Sequence, residues 1–595
     1  MMNRIIKIFM LIGVMLITAT AAYADYHYAS HDGSDEPPYT SWETAAHVVQ
    51  DAADAASRGD TIYVGAGDYY GRIFLHDDSL ALIGMGMDSS RVWYDEFPRS
   101  VISCDSITTI VDLFIEHTGN FSNAIYGGIY RELYVYNCRF EGGGVFGATR
   151  TFVQNCIFNG EQSTVHNGFG DTYLYVSNCI IQTFDDAPIH SLADTNIIIN
   201  NIAKSQGAWH AVEICAIDEL SEYDYIANNL ILSYVSGNGI IISPSGENSI
   251  IVNNTIDTIY AHTYWEVDVA IDLEGDNAIL TVLNNALTGG EVAGIGLFGS
   301  NQTLYANYNN IWGTEHSFRI LGLPNFIDTT YGFIHKYPMF NNQGDDYHLQ
   351  AFSPLIDAGD PNILDVDGTR SDLGCYGGQG GESYTYLDLP PHTPDSLSAN
   401  IDLDDSTINL IWRFIGEADF NRYELYRDTY SGFEPSEFNL IAELDTSYYL
   451  DSDWTTDQDY YYRIASIDNQ DNISDYSEEL EINLVSIWDM PGVERPEFTA
   501  ITSNYPNPFN SQTTIVYYVG NIGPIPAQIN IDIYDILGRK VRLLFDARKE
   551  VGSHKIIWDG KDDNGNALPS GLYFASISQW NERRLSSKRK LLLVK

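Results

Sequence analysis

Four side chains, His166, His190, Glu213 and Asp272, have types and spacing suited to acid–base chemistry. Each follows an apolar residue, Val165, Ile189, Val212 or Ile271, at a similar place in successive stretches of chain. Neighbours in an extended strand point to opposite faces, so an inward apolar residue turns its polar neighbour outward. Asp185, Asp186, His210, Glu266 and Asp268 stand just upstream of these pairs. Carboxylates and imidazoles gathered on one face are what acid–base cleavage of a glycosidic bond uses, or, with bound Ca²⁺, β-elimination. Asp365, Asp367 and Asp372 form a second acidic set whose oxygen ligands would suit a Ca²⁺ cofactor. Both sets have a plainer reading. Polar side chains mostly face solvent, carboxylates align by chance in a chain with 81 acidic residues, and Asp favours turns and caps.

Whatever positions these residues must repeat, because the chain does. An apolar stretch followed by Asn and then Asn or Cys appears at Asn137-Cys138, Asn155-Cys156 and Asn178-Cys179. It continues at Asn200-Asn201, Asn228-Asn229, Asn253-Asn254, Asn284-Asn285 and Asn309-Asn310, with copies 18 to 31 residues apart. One turn of a β-solenoid takes about that much chain. The asparagines predict a ladder in which side-chain amides pair from coil to coil at a bend. Cys138, Cys156 and Cys179 share one position of the repeat. Stacked side chains point the same way, so these thiols are expected as small buried groups and not as disulfides. At the start of the solenoid, Thr40 and Glu43 have capping-box spacing before an amphipathic pattern through Ala45, Val48, Val49, Ala52 and Ala56. A helix there would cover the open sheet edge of the first coil.

The bulk numbers restrict the function further. A chain of 595 residues is too long for one core. Its net charge of −50 opposes nucleic acid and anionic membrane surfaces, so nucleic acid is excluded as a partner. Arg4 and Lys7, the apolar run Ile8–Ile17 and then Ala22-Tyr23-Ala24 read as a signal peptide over residues 1–24, cleaved near Ala24. The run is too short for a transmembrane anchor, and the mature chain is expected to lack one.

The residues Ser41-Trp42-Glu43-Thr44-Ala45 and Gly59-Asp60-Thr61-Ile62-Tyr63-Val64, with the close around Asp346–Asp357, resemble right-handed β-helix proteins of bacterial surfaces. That resemblance implies an all-β right-handed parallel β-helix over residues 25–388, followed by two small β-sandwich domains. After Pro390-Pro391-His392-Thr393-Pro394, residues 389–486 resemble a fibronectin type III domain, with Trp412 in its core and Tyr460 as its tyrosine corner. Residues 487–500 read as a linker. The motifs Asn504–Asn510, Ile533–Val541, Trp558-Asp559-Gly560 and Pro569–Phe574, with the basic close at Lys588-Arg589-Lys590, resemble the type A sorting domain of the type IX secretion system. The resemblance implies that residues 501–595 are read by that export machinery and that the protein is secreted or held at the cell surface.

Known enzymes of this fold supply no matching catalytic set. Polygalacturonase-like hydrolases carry N-x-D, D-D, G-H-G and R-x-K elements, and only Asp185-Asp186 has a counterpart on this face. Pectate-lyase-like enzymes use a basic residue, and none stands at a matching position. Two readings stay open: a β-helix that binds carbohydrate or serves as a structural or adhesive surface, and a polysaccharide lyase or glycoside hydrolase.

Overall fold

Each turn of the chain lays down three short strands, and successive turns stack them into three parallel sheets of 13, 12 and 11 strands. The first sheet runs from Tyr26–Ala29 to Phe326–Asp328, the second from Gly67–Tyr70 to Phe333–Ile334, and the third from Ile73–Leu75 to His316–Ile320. The computed structural model describes residues 24–594 except 77–78, 97–99, 119–122, 129–131, 148, 161–163, 168–171, 185–186, 206–214, 222, 234–238, 245–246, 259–268, 290–292, 315, 403–406, 455–457, 484–498, 521–526 and 580–584. The signal peptide and most of the linker at 487–500 therefore lie outside the described residues.

Alternation along each strand builds the core. Val135, Val153, Val176, Ile198, Ile226, Ile251 and Val282 stack in register down the first sheet, each at most 2% exposed. From Asp112 to Tyr308 one residue per coil, at the bend between first and second sheets, takes a left-handed conformation. Asn137, Asn155, Asn178, Asn200, Asn228, Asn253 and Asn284 do so, with φ between 53° and 57°. Asparagine tolerates that region because its short side chain bonds locally. The residue after each of them turns inward. There Asn201, Asn229, Asn254, Asn285 and Asn309 form a buried ladder, each Nδ2 donating to the next Oδ1 at 2.9–3.0 Å. The same oxygens accept backbone N–H groups, and the amides reach carbonyls such as Val176 O and Ile198 O. Cys138, Cys156 and Cys179 continue the column as free buried thiols. The frame of the last copy shifts by one: Tyr308 takes the left-handed position (φ 53°) and Asn309, not Asn310, joins the ladder.

The opening of the solenoid departs from the expected capping box. Ala46 pairs with the first strand, its N–H donating to Tyr28 O and its carbonyl accepting from Ser30 N, both at 2.8 Å. That extended pairing holds residues 44–46 out of helix, so the helix spans only Val49–Ala55, without a side-chain cap. Ser41 and Thr44 bond each other in a local turn instead. The helix still buries Val49, Ala52 and Ala53 against the first coils.

After the last coil the chain folds back along the outside of the second sheet. Phe340, Tyr347, Leu349, Leu355, Leu373 and Cys375 pack on Leu230, Leu232 and Ala286. This explains why Leu230–Ser233 is apolar on both faces: its inward side meets the core and its outward side meets the returning segment.

The chain divides into two compact units, residues 1–388 and 389–595. The second holds two antiparallel sandwiches. One pairs a three-stranded sheet with a four-stranded one around Trp412, Tyr423, Tyr462 and Ile464. In it Tyr460 Oη accepts from Gln458 Nε2 at 2.7 Å, while Tyr462 donates to the buried Asp451 at 2.7 Å. The other, over Ala500–Leu593, has Trp558 at its centre, 0% exposed. Among the described residues no helix is long and apolar enough to cross a membrane.

Candidate functional site

His166 and His190 do share a surface column. They are register partners on the third sheet, with Val165 and Ile189 facing the core, and their rings stack at 4.6 Å and 5°. The rungs that follow are Ala216, Ile241 and Asp272. Three rungs at about 4.8 Å separate His190 from Asp272 by roughly 14 Å along the axis, beyond the about 5–9.5 Å at which paired carboxyl groups cleave glycosides. Asp272 is also only 4% exposed. The rung in register with His190 is Ala216, three residues past Glu213, which lies outside the described residues. Asp185, Asp186, His210, Glu266 and Asp268 lie outside them too. The described members of the set thus form one imidazole stack and one distant buried carboxylate.

The three aspartates proposed for Ca²⁺ hold turns. Asp365 accepts backbone N–H bonds from Asp372 (2.9 Å) and Gly378 (2.5 Å). Asp367 accepts from the backbone and hydroxyl of Thr369. Asp372 accepts from Asp357 N and Tyr386 Oη, both at 2.8 Å. Burial pushes the Asp372 carboxyl up to about 6, and burial also raises Asp365. Their oxygens already accept protein hydrogen bonds, and among the described residues these three do not form a ligand cluster within 4.8 Å.

The second sheet carries a closer pair of acids, Glu116 and Glu141, on adjacent rungs. Each is held by a guanidinium: Arg91 to Glu116 at 2.6 Å and Arg139 to Glu141 at 3.0 Å.

The first sheet presents a different kind of surface. Reading down its outward column, successive rungs carry Tyr134, Phe152, Tyr175, Ile197 and Tyr225. Tyr173 and Tyr223 stand beside it in the neighbouring outward column, and Tyr136 on the other side. All are partly exposed while their strand neighbours Leu133, Val135, Val153, Leu174 and Val176 are buried. Tyr134 and Phe152 stack at 4.8 Å and 7°, and Phe152 meets Tyr173 at 5.4 Å. Polar groups line the margins: Arg150 pairs with Glu132 at 3.2 Å, Tyr134 donates to Glu132 at 2.7 Å, and Gln154 donates to Ser177 at 2.9 Å. Burial pushes the Tyr173 phenol up to about 12 and raises Tyr136, Tyr223 and Tyr225, so these hydroxyls stay neutral donors. The five rungs from Tyr134 to Tyr225 make a flat aromatic strip roughly 19 Å long at about 4.8 Å per rung.

Motif reading missed this strip, although a signal was present. Tyr134, Phe152, Tyr175, Ile197 and Tyr225 each stand three residues before a left-handed asparagine, at 137, 155, 178, 200 and 228. A fixed offset from the bend fixes one column on one face. His166, His190 and Asp272 lie on the third sheet, farther from the bend, where loop length varies.

Residues 524–583 match the FlgD Ig-like domain family. Among solved structures, an Fn3-like protein from Clostridium thermocellum is 29% identical over 15% of this chain and 90% of its own, with a TM-score of 0.14. The FN1–FN3 domains of chicken CNTN1 are 12% identical over 36% of this chain and 71% of theirs (TM-score 0.14). Dimeric latent PorU from Porphyromonas gingivalis is 15% identical over 36% and 22% (TM-score 0.15). No curated protein matches. A parallel β-helix joined to an immunoglobulin-like domain is the build of a surface or structural module.

Proposed function

We propose that this protein is an exported surface module whose β-helix binds glycan along the aromatic strip of its first sheet. The observation that carries the reading is the strip itself: four rings in five consecutive rungs, partly exposed, with hydrogen-bonding groups along both margins. Rings held by a rigid sheet lose little entropy on binding, and their flat faces suit the apolar faces of sugar rings. Residues 1–24 direct export, and residues 501–595 are read by type IX secretion machinery, which places the solenoid outside the cell.

The test is a glycan-array and polysaccharide-degradation screen of the mature chain. Binding without product is expected, with Phe152→Ala and Tyr175→Ala each weakening it about tenfold, or about 1.4 kcal/mol. New reducing ends or unsaturated uronate, or binding indifferent to both substitutions, would sink the proposal. Export is tested separately: deleting residues 501–595 is expected to trap the protein in the periplasm.

A further inference from the structure

The two ends of the solenoid are finished differently. At the start, the first strand is covered by its pairing with Ala46 and by the helix Val49–Ala55, and Ala29 and Ile62 beneath them are 0% exposed. At the other end, all three sheets stop at the coil His316–Lys336, and among the described residues no further strand pairs with them. Inward residues one coil earlier, Ile295, Leu297 and Leu304, are 0% exposed. Their register partners in the last coil are Phe318, Ile320 and Ile327, and nothing in that coil is buried. Ile320 is 46% exposed, Leu321 64%, Leu323 76% and Phe326 50%. The returning segment leaves this end for the flank of the second sheet and packs on Leu230, Leu232 and Ala286.

We propose that this open end is where two copies of the chain associate, end to end and about a two-fold axis. An apolar floor rimmed by strand edges on which no further described strand pairs is a template for strand addition. Stacking in one direction, last coil onto first, is blocked because the first coil is covered. The surviving arrangement is isologous, each open end against the other, which closes as a dimer. The longest edge strand, His316–Ile320, then pairs antiparallel with its own copy. Charge selects the same surface. The chain carries −50 overall, so two copies repel across most of their faces, whereas His316–Lys336 contains only Arg319, Lys336 and Asp328 as charged residues.

Sedimentation velocity of the full mature chain over a wide concentration range tests this. The wild type is expected to dimerise, and Leu323→Lys and Ile320→Lys to weaken self-association by at least about tenfold. Leu323 is exposed enough that its substitution leaves the fold intact, which an unchanged thermal transition checks. Hydrogen exchange over residues 316–334 supplies a second readout, with protection expected to fall on dilution. A wild type that stays monomeric overturns the proposal, and so does a dimer indifferent to both substitutions. Protection that does not change with concentration also overturns it, because another part of the same chain would then cover the end.

Discussion

Truncating one rung of the buried amide ladder, Asn254→Ala, is the sharpest test of what holds the coils together. Asn254 is 0% exposed. Its Oδ1 accepts from Asn229 N and Asn229 Nδ2, both at 3.0 Å. Its Nδ2 donates to Ile226 O at 2.9 Å and Asn285 Oδ1 at 3.0 Å. Alanine leaves the Asn229 N–H and the Ile226 carbonyl without those partners in a dry interior. Each orphaned buried group costs about 1–3 kcal/mol, so the pair costs about 4 kcal/mol. Asn254→Cys installs the residue that Cys138, Cys156 and Cys179 place in this column, where Cys138 N reaches Cys156 Sγ at 3.5 Å. A thiol is a weak acceptor, and the expected cost is about 2 kcal/mol. Asn155→Ala is the control: its side chain is exposed, and it loses one bond to Asn137 and accepts an unfavourable φ, for about 1 kcal/mol. Global melting of a multidomain chain is not two-state, so native-state hydrogen exchange of the amides around residues 223–258 is the assay. An Asn254→Ala cost no greater than that of Asn155→Ala would refute the ladder as a stabilising device.

Two further outcomes follow from buried groups. The Asp372 carboxyl is raised to about 6 in the folded protein, from an ordinary 3.8. The native state therefore holds a proton that the unfolded chain has lost, and stability falls as pH rises between about 4 and 6, by at most about 3 kcal/mol, then levels. Asp372→Asn can keep the bond from Asp357 N, and it is expected to flatten that part of the difference curve and to stabilise the solenoid at neutral pH, as read by calorimetry across this range. The thiols offer a chemical check. Burial raises Cys156 and Cys179 well above their ordinary value and pushes Cys104 and Cys375 up to about 12. Alkylation of the native protein is expected to leave all four unmodified until denaturant is added, whereas a disulfide found among Cys138, Cys156 and Cys179 by non-reducing mass spectrometry would contradict the stacked arrangement.

The architecture was legible in the sequence because one conformational demand recurs. From Asp112 to Tyr308 each bend between the first two sheets holds a left-handed residue, and asparagine recurs there. The final copy escaped that reading because Tyr308 takes the position and moves the frame by one residue. The helix start escaped because a tertiary contact, Ala46 pairing with the first strand, overrode a local capping pattern. The site was less legible. His166 and His190 were paired correctly by their apolar neighbours, but the rung in register with His190 is Ala216 rather than Glu213, because the loop before the third-sheet strand varies in length between coils. The aromatic strip lies beside the bend, where spacing is constant, and its column carries aromatic and aliphatic side chains, not the carboxylates and imidazoles of acid–base chemistry.

A crystal structure of the mature chain with a bound oligosaccharide, chosen from the array, bears most directly on the central claim. Sugar rings are expected over Tyr134, Phe152 and Tyr175, with hydroxyls reaching the polar margin at Glu132, Arg150 and Gln154. Density for the sugar over His166 and His190 on the third sheet, with nothing on the first, would contradict it.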